Sequence, residues 1–251
     1  MKVANAVALV TGANRGIGEA LVLELLAMGA ARVYAACRSP GSAAHLVEQG
    51  AGRVTEIPMD VTKDEDVAQA ARICGDVSLL INNAGLSQFG RRLVGSPDIS
   101  GAQAEMDVNY FGVLRACRAF APVLKSQGGG AIVNILSAAA LSNVPVLGTY
   151  SASKAAAYSL TQGVRAELAG QGTLVCAVFV GSVDTRMAAN VKDAPKVTAQ
   201  YTARVTLGGV QRAEEEIDAD PMTIDIRARL ARDPKKLERF LARGLQVVPP
   251  A

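Results

Sequence analysis

Six short runs of apolar, largely β-branched residues recur along the chain with helix-like stretches between them, and this alternation limits the fold more than any other feature. The runs are "VALV" (Val7–Val10), "RVYAA" (Arg32–Ala36), "RVTEI" (Arg53–Ile57), "VSLLI" (Val77–Ile81), "AIVNIL" (Ala131–Leu136) and "TLVCAVFV" (Thr173–Val180). Short, apolar on both faces and bounded by Gly, Pro or Asp, they are predicted to be parallel strands covered on both sides. Amphipathic helices are expected at Ile17–Met28, Ser42–Gln49, Lys63–Ala71, Gln103–Leu124 and Tyr150–Ala169, and "TKDE" (Thr62–Glu65) has the spacing of a capping box. Parallel neighbours need crossover connections, which are right-handed. The expectation is an α/β fold: a single doubly wound parallel sheet with helices on both faces. No linker, low-complexity run or repeat divides residues 1–251, which read as one domain.

Composition narrows the function. Half of the 251 residues are hydrophobic, a fifth are charged and the net charge is +3, which is globular. Basic residues are scattered and aromatics make up 4%, so no interleaved basic and aromatic surface for nucleic acid is expected. The four cysteines, Cys37, Cys74, Cys117 and Cys176, show no C-x-x-C spacing, so neither a metal site nor a disulfide framework is expected. Reduced thiols fit a cytoplasmic protein. His45 is the single histidine, which argues against Ser-His-Asp hydrolysis and His-based metal chemistry and leaves it as a surface residue. The first apolar stretch, Val7–Val10, runs straight into "TGANRGIG", so neither a signal segment nor a membrane span is expected there.

"TGANRGIG" places Gly12, Gly16 and Gly18 between the first strand and the first helix. Such a turn lets backbone N–H groups approach a pyrophosphate at the positive end of a helix. The spacing is G-x-x-x-G-x-G, and a tight turn without a ligand remains the other reading. An NAD site usually places a carboxylate about 20 residues further on, for the ribose hydroxyls. Here the second strand ends in Cys37 and Arg38, and Arg15 lies inside the loop. Two guanidiniums and no carboxylate suit a 2′-phosphate, hence NADP(H); two solvated surface arginines are the alternative.

"TGANRGIG" (Thr11–Gly18), "DV" (Asp60–Val61), "NNAG" (Asn82–Gly85), Asn109, Ser137 and "YSASK" (Tyr150–Lys154), in that order, resemble the short-chain dehydrogenase/reductase family over roughly residues 5 to 190. The resemblance implies a Rossmann-type fold and a nicotinamide cofactor. It puts Gly12, Asn14, Arg15, Gly16, Ile17 and Gly18 at the pyrophosphate, Asp60 and Val61 at the adenine, and Asn83, Ala84 and Gly85 beside the cofactor ribose. It makes Asn109, Ser137, Tyr150 and Lys154 the catalytic set, with Asn109 interrupting a helix and holding a relay water, and Lys154 also holding the nicotinamide ribose. The residues themselves agree: a tyrosine of pKa about 10 is a poor acid or base at neutral pH, and Lys154, one turn on, supplies a charge that favours phenolate. Ser137 can bond the substrate oxygen. Asn109 can also be read as an ordinary helix residue, and Ser137 as an ordinary strand end.

The chain departs from the family in two places. Val180 stands where a proline precedes Gly181, while Val183 and Thr185, expected at the nicotinamide carboxamide, remain; losing proline frees a dihedral and adds an N–H. The C-terminus shows no apolar run except "QVV" (Gln246–Val248), so no seventh strand is expected, and Asp233-Pro234 predicts a terminal helix over 233–243. The function expected is NADPH-dependent reduction of a ketone or aldehyde, or the reverse alcohol oxidation. The alternatives are a non-catalytic dinucleotide-binding redox sensor and a methyltransferase with a similar loop. The substrate pocket should be built by Ser87–Arg92, Leu141–Leu147 and a variable substrate loop over about 186–219. Without a seventh strand, a homodimer through Gln103–Leu124 and Tyr150–Ala169 is expected rather than a tetramer.

Overall fold

A computed structural model describes residues 1–90, 92–191 and 195–246. All six expected strands form, within a residue or two of the expected bounds: β1 (Val7–Thr11), β2 (Arg32–Cys37), β3 (Val54–Pro58), β4 (Leu79–Asn82), β5 (Ala131–Ile135) and β6 (Leu174–Phe179). With a seventh, β7 (Glu216–Asp218), they make one parallel sheet of order β3-β2-β1-β4-β5-β6-β7. The order reverses between β1 and β4, the switch point at which ligands bind in doubly wound sheets.

Side chains alternate across a strand, which is why the runs had to be apolar throughout. Ala8 and Val10 face the layer of α1 (Gly16–Ala27) and α7 (Ala199–Gln211), meeting Leu21, Leu25 and Leu207. Leu9 faces the layer of α3 (Asp64–Ile73) and α5 (Gly112–Ser126), with Val67 and Phe120. The short helix α2 (Ala44–Gln49) follows β2, and α6 (Gly148–Leu168) follows β5. A polar thread crosses the second layer: the Asn82 amide donates to Asn134 Oδ1 at 2.8 Å, and the Asn134 amide to Thr161 Oγ1 at 2.9 Å. Among the described residues, no helix is long and apolar enough to cross a membrane.

Four expectations are corrected. The helix expected over Gln103–Leu124 is broken: α4 (Ser100–Met106) passes into a π-helical segment, Asp107–Phe111, before α5 begins. Thr62 does not cap α3; its N–H and Oγ1 both go to Asp60 Oδ1, and Asp66 Oδ2 reaches back to the Asp60 N–H. The stretch 186–219 is not a loop throughout, since it holds α7 and β7.

The fourth is the seventh strand itself. It forms from acidic residues because their charges are matched across the sheet edge. Arg227, on α8 (Pro221–Arg232), bonds Asp218 at 2.7 and 2.9 Å and Glu216 at 2.9 Å, and its guanidinium lies 4.7 Å from the Phe179 ring centroid. Tyr158 donates to Glu216 at 2.5 Å. The preference for a dimer over a tetramer, which rested on the absence of this strand, loses its ground; Val247 and Val248 of "QVV" lie outside the described residues. The terminal helix forms as expected as α9 (Pro234–Ala242), with the Asp233 side chain accepting the Lys236 N–H at 2.9 Å.

If Arg227 holds β7, Arg227→Met should cost about 1–2 kcal/mol, the paired charges being partly open to solvent. Hydrogen exchange should quicken at the Ala219 amide, which bonds Phe179 O at 2.9 Å beside the strand. An unchanged melting curve with unchanged exchange there would remove the role given to Arg227.

Candidate active site

At the carboxyl ends of β1 and β4, one side chain ties the two strands. Asn83 Nδ2 donates to Thr11 O at 2.9 Å and Gly12 O at 3.1 Å, and Thr11 Oγ1 accepts the N–H groups of Asn83 and Ala84 at 3.0 and 2.9 Å. The glycine loop is pressed against this tie. Gly12 and Gly16 have φ of 63° and 59°, a region costly for other residues. A Cβ on Gly12 would stand 3.0 Å from Ala84 Cα, and one on Gly18 would collide with Gly12 O and, at 2.6 Å, with Asn83 Nδ2. No side chain caps the first turn of α1, whose N-cap is Arg15. A loop made to pass close to its neighbours, ahead of an uncapped helix start, suits a bound pyrophosphate.

The residues expected at the adenosine end gather at the ends of β2 and β3. Arg38 and Arg15 are exposed. Asp60 is held below the usual carboxylate range: burial pushes it up, but the Thr62 hydrogen bonds and the charges of Arg38 and Lys63 outweigh that. Val61 lies against Gly112, where an added Cβ would come within 2.9 Å of Val61 Cγ2. His45 sits on the partly open surface with its Nε2 3.5 Å from Glu19 Oε1.

The four residues expected to be catalytic converge. Asn109 lies in the π-helical segment with 0% exposure. Its Nδ2 donates to Leu86 O at 2.8 Å and Ser153 Oγ at 2.9 Å, and its Oδ1 accepts the Leu86 N–H at 2.9 Å. Both amide protons are thereby committed, so the side chain ties the segment after β4 to α6. Lys154 Nζ donates to Ile135 O at 2.9 Å and lies 5.8 Å from the centroid of the Tyr150 ring. An ideal Cβ at Gly85 would be 3.5 Å from Asn109 Oδ1 and 3.7 Å from Lys154 Nζ. Ser137, at the end of β5, accepts the Ala139 N–H at 3.2 Å.

The charges do not behave as expected from the pair alone. Burial pushes the Tyr150 phenol up to about 12; a hydrogen bond with Ser137 draws it down and the charge of Glu105 adds to the rise. Burial pushes the Lys154 ammonium down to about 8. The expected lowering of the tyrosine by the lysine does not appear; the phenol rises, because desolvation penalises the charged form of each group. Lys154 gives up its proton before Tyr150 does, and at neutral pH the site holds a protonated tyrosine beside a charged lysine.

The loop after β6 is tied where the proline is missing. The Gly181 N–H donates to Asp220 Oδ2 at 2.5 Å, and the same carboxylate caps α8 by accepting the Thr223 N–H at 2.9 Å. The freedom gained with Val180 is offset by this tether. Val183 is buried and bridges to Val197, and an added Cβ at Gly16 would meet Thr185 Cγ2 at 3.3 Å, so Thr185 stands over the glycine loop. Asp220 was not singled out from the sequence, although Asp220-Pro221 repeats the Asp-Pro signal read at Asp233. Thr11 and Ser153 were missed too, though both lie inside quoted motifs.

Of the expected pocket segments, Gly90 N–H meets Val146 O at 3.3 Å, so the first two adjoin; Arg91 of the first and residues 192–194 of the third lie outside the described residues. Behind them α8 and α9 bring Ile226 and Leu237 against Ala138.

A family model described as short chain dehydrogenase matches residues 6–196. An oxidoreductase of Staphylococcus aureus (strain MRSA252), itself uncharacterized, is 33% identical over 208 residues, 80% of this chain and 89% of that one. A 3-oxoacyl-[acyl-carrier-protein] reductase of Synechocystis is 34% identical over 197 residues, covering 75% and 78%. Among solved structures, a short chain dehydrogenase from Burkholderia cenocepacia in complex with NADP superposes with a TM-score of 0.90 at 40% identity, covering 96% and 99%.

Lys154 gives a pH test. A lysine whose folded pKa is lowered carries its desolvation cost while charged in both states, and loses that cost as pH rises from the folded toward the unfolded pKa. Lys154→Met should therefore stabilise the fold at neutral pH by about 3 kcal/mol, from the fall of 10.5 to about 8. The gain should fade between those two pH values. Denaturant unfolding across about pH 7 to 11, which spans that window, checks it; a gain independent of pH would refute the burial of a charge.

Proposed function

The chain belongs to the short chain dehydrogenase family, and we propose that it is an NADPH-dependent carbonyl reductase that runs in reverse as an alcohol dehydrogenase, with Tyr150 as its acid and base. The observation that carries this reading is the gathering of Ser137, Tyr150 and Lys154 at the sheet's switch point, with the phenol protonated at neutral pH. A buried tyrosine that keeps its proton is fitted to donate it.

The residues present fit a dinucleotide. Gly12, Asn14, Arg15, Gly16, Ile17 and Gly18 would hold its pyrophosphate, Asp60 and Val61 its adenine, and Asn83, Ala84 and Gly85 its ribose. Val183 and Thr185 would hold its carboxamide. Arg15 and Arg38, exposed at the end where the adenosine would lie, suit a 2′-phosphate, in keeping with the NADP complex of the Burkholderia relative. When bound, the nicotinamide supplies the hydride. The Ser137 hydroxyl orients the carbonyl oxygen, and Tyr150 gives that oxygen its proton as negative charge develops there. Lys154 holds a positive charge beside the ring, which remains as phenolate once its proton has passed to the substrate oxygen, and this stabilises the product side of the transfer. Asn109 keeps the Leu86 segment and Ser153 in register with this pair.

Self-association through the helices of 103–124 and 150–169 is part of the same reading, supported by the exposed Phe111 of the π-helical segment. With β7 present, light scattering has to decide between twice and four times the 26.0 kDa chain, and a monomer would discard that interface.

Assayed with NADPH against a panel of ketones and aldehydes, Tyr150→Phe should lose turnover by about 100-fold or more with cofactor affinity nearly intact. Retention of a tenth of the wild-type turnover would rule out its role as the acid. NADPH should exceed NADH in kcat/KM, and Arg38→Ala should reduce that preference by about 10- to 100-fold, the equivalent of one charge-assisted hydrogen bond. Equal use of both cofactors by the wild type would mean that Arg15 and Arg38 only face solvent.

A further inference from the structure

The peptide that joins Val180 to Gly181 is held at both of its polar atoms. Its carbonyl, Val180 O, accepts the Ala138 N–H at 2.9 Å, next to Ser137, and its N–H, on Gly181, donates to Asp220 Oδ2 at 2.5 Å. Asp220 is 2% exposed and is the N-cap of α8. Its Oδ1 accepts the Thr223 N–H at 2.9 Å, and its Oδ2 accepts the Thr223 hydroxyl at 3.2 Å. Capping needs one oxygen bonded to the first turn; the bond to Gly181, 39 residues away in sequence, lies outside that task. The approach is close. An ideal Cβ at Gly181 would stand 2.6 Å from Asp220 Oδ1 and 3.0 Å from Met222 Cβ. Further along α8, Ile226 packs on Ala138, so the helix start is itself seated against the turn that carries Ser137.

Beyond Gly181 the chain is pinned a second time. The Val197 N–H donates to Ser182 O at 3.1 Å and the Asp184 N–H to Val197 O at 2.9 Å, on either side of Val183. Residues 181–184 therefore run between two fixed points, and Thr185 follows them to stand over Gly16. We propose that Asp220 is a positioning residue for the nicotinamide end of the cofactor: it sets the Val180–Gly181 peptide, and through it the places of Val183 and Thr185. A proline at position 180 would fix the φ of that residue. Val180 leaves the angle free, and the two bonds on the following peptide remove the freedom again, since rotating the peptide would break both and strand buried backbone groups. The inference deepens the reading of Val183 and Thr185 as the carboxamide holders and rests on it.

The test needs no substrate. Asp220→Ser separates the two tasks of the side chain: serine caps a helix about as well as aspartate, but its single, shorter-reaching oxygen leaves Gly181 without an acceptor. In the full chain, affinity for NADPH, measured by calorimetry, should fall about 5- to 10-fold, roughly the net worth of one hydrogen bond. Affinity for adenosine 2′,5′-bisphosphate, which lacks the nicotinamide half, should not change. Without ligand, hydrogen exchange should quicken at the Gly181 and Asp184 amides and stay as it was at the Ile224 amide, which bonds Asp220 O at 3.2 Å and reports on α8 itself. Gly181→Ala, which keeps the cap and drives the loop away from Asp220, should give the same split between the two ligands. An equal loss for both ligands in Asp220→Ser, or no loss for NADPH, would overturn the proposal alone. Binding of neither ligand by the wild type would overturn the dinucleotide reading, and the proposal with it.

Discussion

The hydrogen bonds from Asn83 to the end of β1 are the constraint on which the site depends. They fix the gap between β1 and β4, where the two halves of a doubly wound sheet diverge and where a ligand must enter. The glycine loop takes its path from them, since Gly18 has no room for a side chain between Gly12 O and Asn83 Nδ2. The segment after β4 leaves from the same tie and is caught again by Asn109, which hands the geometry on to Ser153 and so to α6. Tyr150 and Lys154 are thus referenced to the cofactor loop through two amides, without a flexible link between them.

Burial acts on the pair in opposite senses. Removing water penalises phenolate and ammonium alike, so one pKa rises and the other falls. Their ordinary order is inverted, and the tyrosine is the stronger holder of its proton.

Much of this was legible in the residues. Apolar runs located β1 to β6 because a strand covered on both faces has no freedom to be polar. The motif residues come together because each lies at the end of a strand or on a helix beside the carboxyl edge of the sheet. What escaped was held by pairing rather than by pattern. β7 is acidic, and it becomes a strand because Arg227, on the next helix, and Tyr158, far back in the sequence, meet its carboxylates. The π-helical segment follows from how Asn109 must reach Leu86, which no helical periodicity reports. Asp220 did carry a local signal, the Asp-Pro pair, but its second bond, to Gly181, joins parts of the chain that only the fold brings together.

The thread from Asn82 through Asn134 to Thr161 has a consequence for how the sheet is specified. Parallel strands lined with Val, Leu and Ile on both faces offer near-equivalent packing at several offsets, because one aliphatic side chain substitutes for another at little cost. Amides inside such a layer do not. If β4 slid along β5, the Asn82 and Asn134 amides would part and be left dry and unpaired, each at about 1–3 kcal/mol. The thread makes alignment of the two central strands an all-or-none matter, and it does so on the strands whose ends carry Asn83 and Ser137.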